Sequence, residues 1–194
     1  MSAASPLQFL DDRRSVPSRQ LGEPGPDPVT LHRMLQSAVR VPDHGKLVPY
    51  RFLHISGPAR LALGDALAER TLARDPEAPA AAVEKDRARF SHAPDIVTVI
   101  ARITPGHKVP EQEQLLTAGS VCFALLQAAQ ALGFGAQWLT GWMAYDEAVA
   151  TLLGLGANER IVGFIHIGTP RMEAPERERP DPADLLSRWQ PDGR

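Results

Sequence analysis

Apolar positions along the chain follow two rhythms, and proline and glycine mark the boundaries between them. Leu31, Met34, Leu35, Ala38 and Val39 recur at the three- and four-residue spacing of a helix with one face on a core. Asp27 stands as its N-cap with Pro28 in the first turn, and the helix is expected to end at Arg40, before Val41-Pro42. Tyr50 to Ile55 reads as a strand, after which Gly57-Pro58 turn into an alanine-rich helix carrying Leu61, Leu63 and Leu67. Asp95 to Arg102 is the clearest strand, because Ile96, Val97, Val99 and Ile100 make the near-continuous apolar run of a strand covered on both faces. Pro110-Glu111 open the longest helix, which runs through Leu115, Leu116, Val121, Phe123, Leu126 and Leu132 until Gly133 supplies a left-handed stop. Ala136 to Leu139 reads as a short strand. Asp146 starts a helix with Val149, Leu152 and Leu153, and Ile161 to Ile167 is a buried strand ended by Gly168-Thr169-Pro170.

Two stretches break these rhythms. Pro17, Gly22, Pro24, Gly25, Pro26 and Pro28 predict an extended connector that is not helical. Residues 171–194 are rich in proline and charge, with Leu185, Leu186 and Trp189 as apolar anchors, so we expect one domain over 1–170 and a tail over 171–194 packing on its own or a partner subunit. The charged helix through Glu84, Lys85, Asp86, Arg87 and Arg89 reads as a solvated face. Helices and strands intermix without regular alternation, which predicts an α+β fold with a mixed, mainly antiparallel sheet flanked by helices. The longest helix is apolar around most of its circumference, more than one small domain buries, and this points to a homodimer.

Bulk composition narrows the function classes. A length of 194 residues suits a single core, and a net charge of -2 with 21 Lys and Arg offers no basic excess for a nucleic-acid backbone. Cys122, the single cysteine, cannot form an internal disulfide and lies in an apolar run that suits core packing. No run approaches the roughly 18 uninterrupted apolar residues of a membrane span, and a cytoplasmic protein is the expectation. The six histidines show no ligand spacing, so no metal site is expected.

Candidate chemistry starts at Arg13, Arg14 and Ser15, where two guanidinium forks and a hydroxyl sit side by side. That set suits a phosphate, although an Arg pair beside a helix end also reads as a solvated answer to the helix dipole. Gly133-Phe134-Gly135 follows a helix and lacks a third glycine, so it reads as a helix cap and turn rather than a dinucleotide loop. His44, beside Asp43 and after Pro42, reads locally as part of an Asx-turn; Trp138 reads equally as a core aromatic.

The order of these motifs resembles the nitroreductase family. It comprises Arg13-Arg14-Ser15, then Arg40-Val41-Pro42-Asp43-His44, then Pro49-Tyr50-Arg51-Phe52, then Gly133 through Gly141, then Ile161 through Pro170. The likeness is strongest to its short, YdjA-like branch, which His107-Lys108-Val109-Pro110 also resembles. The resemblance implies an intertwined α+β homodimer with FMN at the subunit interface, reduced by NADH or NADPH and passing electrons to a small-molecule acceptor. By the same resemblance Arg13, Arg14 and Ser15 match the first FMN-binding segment, and Arg40 and His44 match positions reaching the flavin from the neighbouring subunit. Trp138, Leu139 and Thr140 match the segment beneath the ring, and Ala128, Ala129, Gln130, Ala131, Leu132 and Gly133 match a stretch linked to the nicotinamide cofactor.

Such residue types suit the cofactor independently, since FMN needs cations at its phosphate and an apolar wall at its ring. Reduction places negative charge on the N1 and C2-oxygen edge, where a fixed guanidinium stabilises it; Arg13 or Arg14 is the expected donor. Lys46 and Val48 stand where longer members carry Asn and Gln, and Leu139 where an Arg is familiar in the short branch, so the substrate pocket does not transfer. The expectation is an FMN-dependent NAD(P)H oxidoreductase reducing nitroaromatic, quinone-like or other small electrophiles by ping-pong hydride transfer, with no catalytic side chain assigned. The alternative is an FMN-binding or sensing module with little turnover.

Overall fold

The computed structural model describes residues 7–191. Its centre is a five-stranded antiparallel sheet built around β5 (Glu159–Pro170). One edge of β5 pairs with β3 (Asp95–Arg102), which pairs in turn with β2 (Tyr50–Ser56); β1 (Leu21–Gly22) and β4 (Gly135–Leu139) also pair with β5. β3 behaves as its apolar run predicts, with burial from Asp95 through Ala101 and a register shift at Val99/Ile100. Its Val97, Val99 and Ala101 face one core and Ile96 the other.

The first core is closed by α2 (Pro28–Ala38) and α5 (Glu111–Ala131), through Leu31, Met34, Val121 and Leu125. Asp27 caps α2 by accepting from the Thr30 N–H at 2.8 Å, as its place before Pro28 predicts. The second core lies beneath α3 (Pro58–Arg74), α4 (Ala80–Arg87) and α6 (Glu147–Leu152), and includes Leu63, Leu67, Phe90, Phe164 and Val149. Cys122 is buried and its thiol is pushed up to about 12, chiefly by burial, so it is packing rather than a nucleophile.

Two expectations change. The proline-rich connector contains a single 3₁₀ turn at Ser18–Gln20 and contributes β1, because Leu21 is drawn fully into a small core with Val16 and Ala93. The charged helix is not simply a solvated face: Asp86 is buried, and Arg89, in the turn beyond α4, is half-buried. Among the described residues no helix is long and apolar enough to cross a membrane, and no cluster of His, Cys, Asp and Glu could hold a metal ion.

The tail is anchored over its first residues. The Arg171 N–H donates to the Gln20 carbonyl at 2.9 Å and Ala174 packs on the Val16 cluster. Farther out, α7 (Pro182–Leu185) and Trp189 are exposed; Trp189 is 85% accessible.

Candidate functional site

The site grows from the outer edge of β4. α5 ends in a complete left-handed cap: Gly133 has φ +81°, its N–H reaches the Gln130 carbonyl at 3.0 Å, and the Phe134 N–H reaches the Ala129 carbonyl at 2.9 Å. That cap turns the chain directly into β4. Residues 13–19 then run along the strand's free edge, the Val16 N–H donating to the Ala136 carbonyl at 3.1 Å and the Ser18 N–H to Gln137 Oε1 at 2.6 Å. A Cβ on Gly135 would stand 2.8 Å from Leu21 Cδ2 and 3.0 Å from Val16 Cγ2, so this close approach requires glycine.

Positive charge gathers at both ends of that edge. At one end Arg13, Arg14 and Ser15 meet Pro175, Arg177 and Arg179 around a cavity of about 160 Å³. Arg13 Nη1 lies 3.5 Å from Ser15 Oγ, and Arg14 is held by an ion pair to Glu176 and a bond to the Asp11 carbonyl. At the other end Arg19, Lys85, Arg89 and His92 surround a cavity of about 360 Å³ floored by Gln137 and Leu139. Sequence reasoning missed Arg177, Arg179, Arg19, Lys85 and Arg89. The basic spacing of Glu176-Arg177-Glu178-Arg179 gave no signal against its acidic neighbours, and Arg89 was hidden in a charge run.

The second basic pocket has a rigid back wall. Asp86 accepts from Arg89, Thr71 and Trp142, and Arg74 lies 4.5 Å over the Trp142 ring. Although burial works the other way, these donors hold the Asp86 carboxyl below its ordinary range. Beside them His166 is fully buried, stacks on Phe90 at 5.4 Å, and among the described residues has no hydrogen-bond partner on either ring nitrogen. Its pKa is pushed down to about 3, first by burial and then by the charges of Arg89 and His92, so the ring is neutral.

Trp138, 37% accessible, lies over β5 beside Gly119 of α5, on the face of β4 opposite Gln137 and Leu139, its Nε1 donating to the Val162 carbonyl at 3.2 Å. A Cβ on Gly163 would overlap its indole, so glycine there lets the ring lie flat against β5. Leu139 lines the second pocket, and Thr140 leads to Gly141 at φ +70°. Arg40 and His44 lie elsewhere. Arg40 is exposed after α2, and exposed His44 places Nδ1 2.7 Å from Glu113 Oε2; neither bonds the Arg13 or Trp138 groups. Of the 128–133 stretch, Ala128 and Ala129 face the core, Ala131, Leu132 and Gly133 are exposed, and Gln130 borders a cavity beside Arg14.

The exposed apolar residues of α5, Leu115, Leu116 and Phe123, lie on its outer side, and the first two border an apolar groove of about 690 Å³ with Tyr145 and Val162. Residues 10–169 match the Nitroreductase family. The chain belongs to that family. It is 34% identical over 182 residues to the provisionally named NAD(P)H nitroreductase YdjA of Escherichia coli (strain K12), covering 93% of this chain and 97% of that one. It is 34% identical over 177 residues to a provisionally named NAD(P)H nitroreductase of Haemophilus influenzae, covering 89% and 91%. By this membership the chain is an oxidoreductase of nitroreductase kind. The fold is shared with a nitroreductase-like family protein from Bacillus cereus, with TM-score 0.80, 23% identity and 98% of each chain covered. It is also shared with a Desulfovibrio desulfuricans nitroreductase solved in complex with FMN, with TM-score 0.74, 22% identity, and 97% and 100% covered.

Proposed function

We propose that this nitroreductase-family chain is an FMN-dependent NAD(P)H oxidoreductase that reduces nitroaromatic, quinone-like or other small electrophiles. The observation that carries the reading is the pair of basic pockets at opposite ends of the β4 edge, joined by residues 13–19. A phosphate and a flavin pyrimidine edge are likewise the two anionic ends of one ligand. The residues fit the group. The smaller pocket gathers four guanidiniums and a hydroxyl without a carboxylate on its lining, a donor set matched to a phosphate dianion. The larger pocket, with Arg19, Lys85 and Arg89, takes over the role that the sequence had given to Arg13 or Arg14, namely facing the N1 and C2-oxygen edge.

FMN when bound supplies an acceptor for hydride from NADH or NADPH and a donor of electrons to the second substrate. The chain's own residues bind and orient. Arg13, Arg14, Ser15, Arg177 and Arg179 would hold the phosphate, and the segment Trp138-Leu139-Thr140 would support the ring. β4 is an edge strand, so its outward backbone groups beyond Gln137 are available to ring oxygens and N5. Arg40 and His44, which bond nothing in this site within one subunit, serve the flavin of the partner, and the exposed face of α5 forms the dimer contact. The Ala131 to Gly133 turn and Gln130 form the nicotinamide-facing side. The chain would contribute alignment rather than acid–base catalysis, and the expected kinetic form is a ping-pong cycle in which the two substrates use one site in turn.

An absorption spectrum of the purified protein tests this. The expected result is a yellow protein whose flavin band bleaches anaerobically with NADPH or NADH and recovers on addition of a quinone. A colourless protein that binds no added FMN overturns the reading, and bound FMN reduced no faster than free FMN replaces it with a binding module.

A further inference from the structure

Asp86 is buried, and each of its oxygens has a protein donor or two. Oδ1 accepts from Arg89 Nε at 3.3 Å and Nη2 at 2.9 Å, while Oδ2 accepts from Thr71 Oγ1 at 2.9 Å and Trp142 Nε1 at 3.1 Å. Two nitrogens of the Arg89 fork are thereby fixed, and the third, Nη1, makes no hydrogen bond among the described residues. That nitrogen lies 3.5 Å from where a Cβ would stand on Gly141, the residue after Thr140. Arg89 also lines the pocket floored by Gln137 and Leu139.

Burying a carboxylate is costly unless its lone pairs are matched, and an arginine needed only for its charge has no use for such an anchor. Lys85 in the same pocket is exposed and enters no ion pair among the described residues, showing the unanchored alternative. Through Trp142 the same carboxylate also reaches the 3₁₀ turn after β4, away from the pocket lining.

We infer that Asp86 is a positioning residue: it aims Arg89 Nη1 at the cofactor edge that becomes negative on reduction. This rests on the FMN reading above. A donor held in place pays no reorganisation when charge appears, so its effect falls on the reduced cofactor more than on the oxidised one. Lys85 and Arg19 add charge to the pocket without a fixed direction.

The test compares dissociation constants of oxidised and dithionite-reduced FMN in the full-length protein. Asp86→Asn is expected to weaken reduced FMN at least tenfold more than oxidised FMN, which equals a fall of about 30 mV in the two-electron potential. Arg89→Gln is expected to do the same, and the double variant no more than either alone. Trp142→Phe removes a donor from the same carboxylate and keeps a ring beneath Arg74; it is expected to lower the melting temperature and leave the affinity ratio unchanged. Should Asp86→Asn fail to fold, Arg89→Lys reads the same effect, since a lysine cannot span Asp86 and the pocket at once. An unchanged ratio in the Asp86 and Arg89 variants, with FMN still bound, overturns the inference and leaves the FMN reading intact. An equal shift in Trp142→Phe overturns it as a general loosening of the site. A wild-type chain that binds no FMN overturns both.

Discussion

The two basic pockets flanking β4 are built in opposite ways. At the Arg13 end the cations come from a half-buried N-terminal segment and from an exposed tail, and Arg14 leans on Glu176, whose side chain is 59% accessible. At the Arg89 end the cation stands on a buried carboxylate tied to two further donors. The difference follows from what each must hold. A phosphate rotates freely and accepts from many directions, so numerous loosely held donors serve it; a ring edge has one orientation, and only a donor of fixed direction gains from it.

The contrast can be broken first by stability. Asp86→Ala leaves the half-buried Arg89 without its counter-charge and should lower the unfolding free energy by about 3 kcal/mol, read from urea midpoints, while Glu176→Ala should change it by less than about 0.5 kcal/mol. Equal losses would show that both ends are built alike. Next in size is ligand affinity: Arg13→Ala or Arg14→Ala should weaken FMN by about 1.5–3 kcal/mol and leave riboflavin, which lacks the phosphate, almost unaffected in a fluorescence titration. Loss of riboflavin to the same degree would move those residues away from the phosphate.

A third test uses pH. His166 is neutral in the fold with its pKa near 3 but titrates near the usual 6.5 or so once unfolded, so the unfolded chain binds more protons in between and stability rises with pH across that window. The slope should approach about 1.4 kcal/mol per pH unit below roughly pH 6 and flatten in His166→Leu. Glu159, held down to about 2 chiefly by Arg51, adds a slope of the same sign only below roughly pH 4.5, so measurements between pH 6 and 5 isolate the histidine. A flat profile there in the parent chain would mean that the ring finds a proton partner. The smallest effect belongs to the tail. Arg177→Ala and Arg179→Ala, each on exposed backbone, should cost about 0.5–1 kcal/mol of FMN affinity apiece and fade at high salt.

Elements whose signals are local were legible in the sequence. Asp27-Pro28 announced the start of α2, Ile96 to Ile100 the central strand, and Gly133 the end of α5, because capping, apolar run length and left-handed backbone are decided within a few residues. Arg13, Arg14 and Ser15 were found as adjacent donors, and the structure does bring them to a common pocket. Arg177, Arg179 and Arg19 were not legible as site residues, since each acquires its meaning from a neighbour more than a hundred positions away. Asp86 misled for another reason: in a run with Glu84, Lys85 and Arg87 it looked like any solvated charge, and only the distant Trp142 and Thr71 make it an interior group. The β1 pairing escaped because Leu21-Gly22 is too short to show a period and forms through the partner strand β5.

The smaller basic pocket joins residues 13–15 to residues 175–179, so a ligand seated there would fasten two segments about 160 positions apart to each other. Such a ligand works as a clasp between them. By mass action its occupancy would raise the resistance of both segments to local opening and proteolysis, by about 2.7 kcal/mol at a hundredfold excess over its dissociation constant.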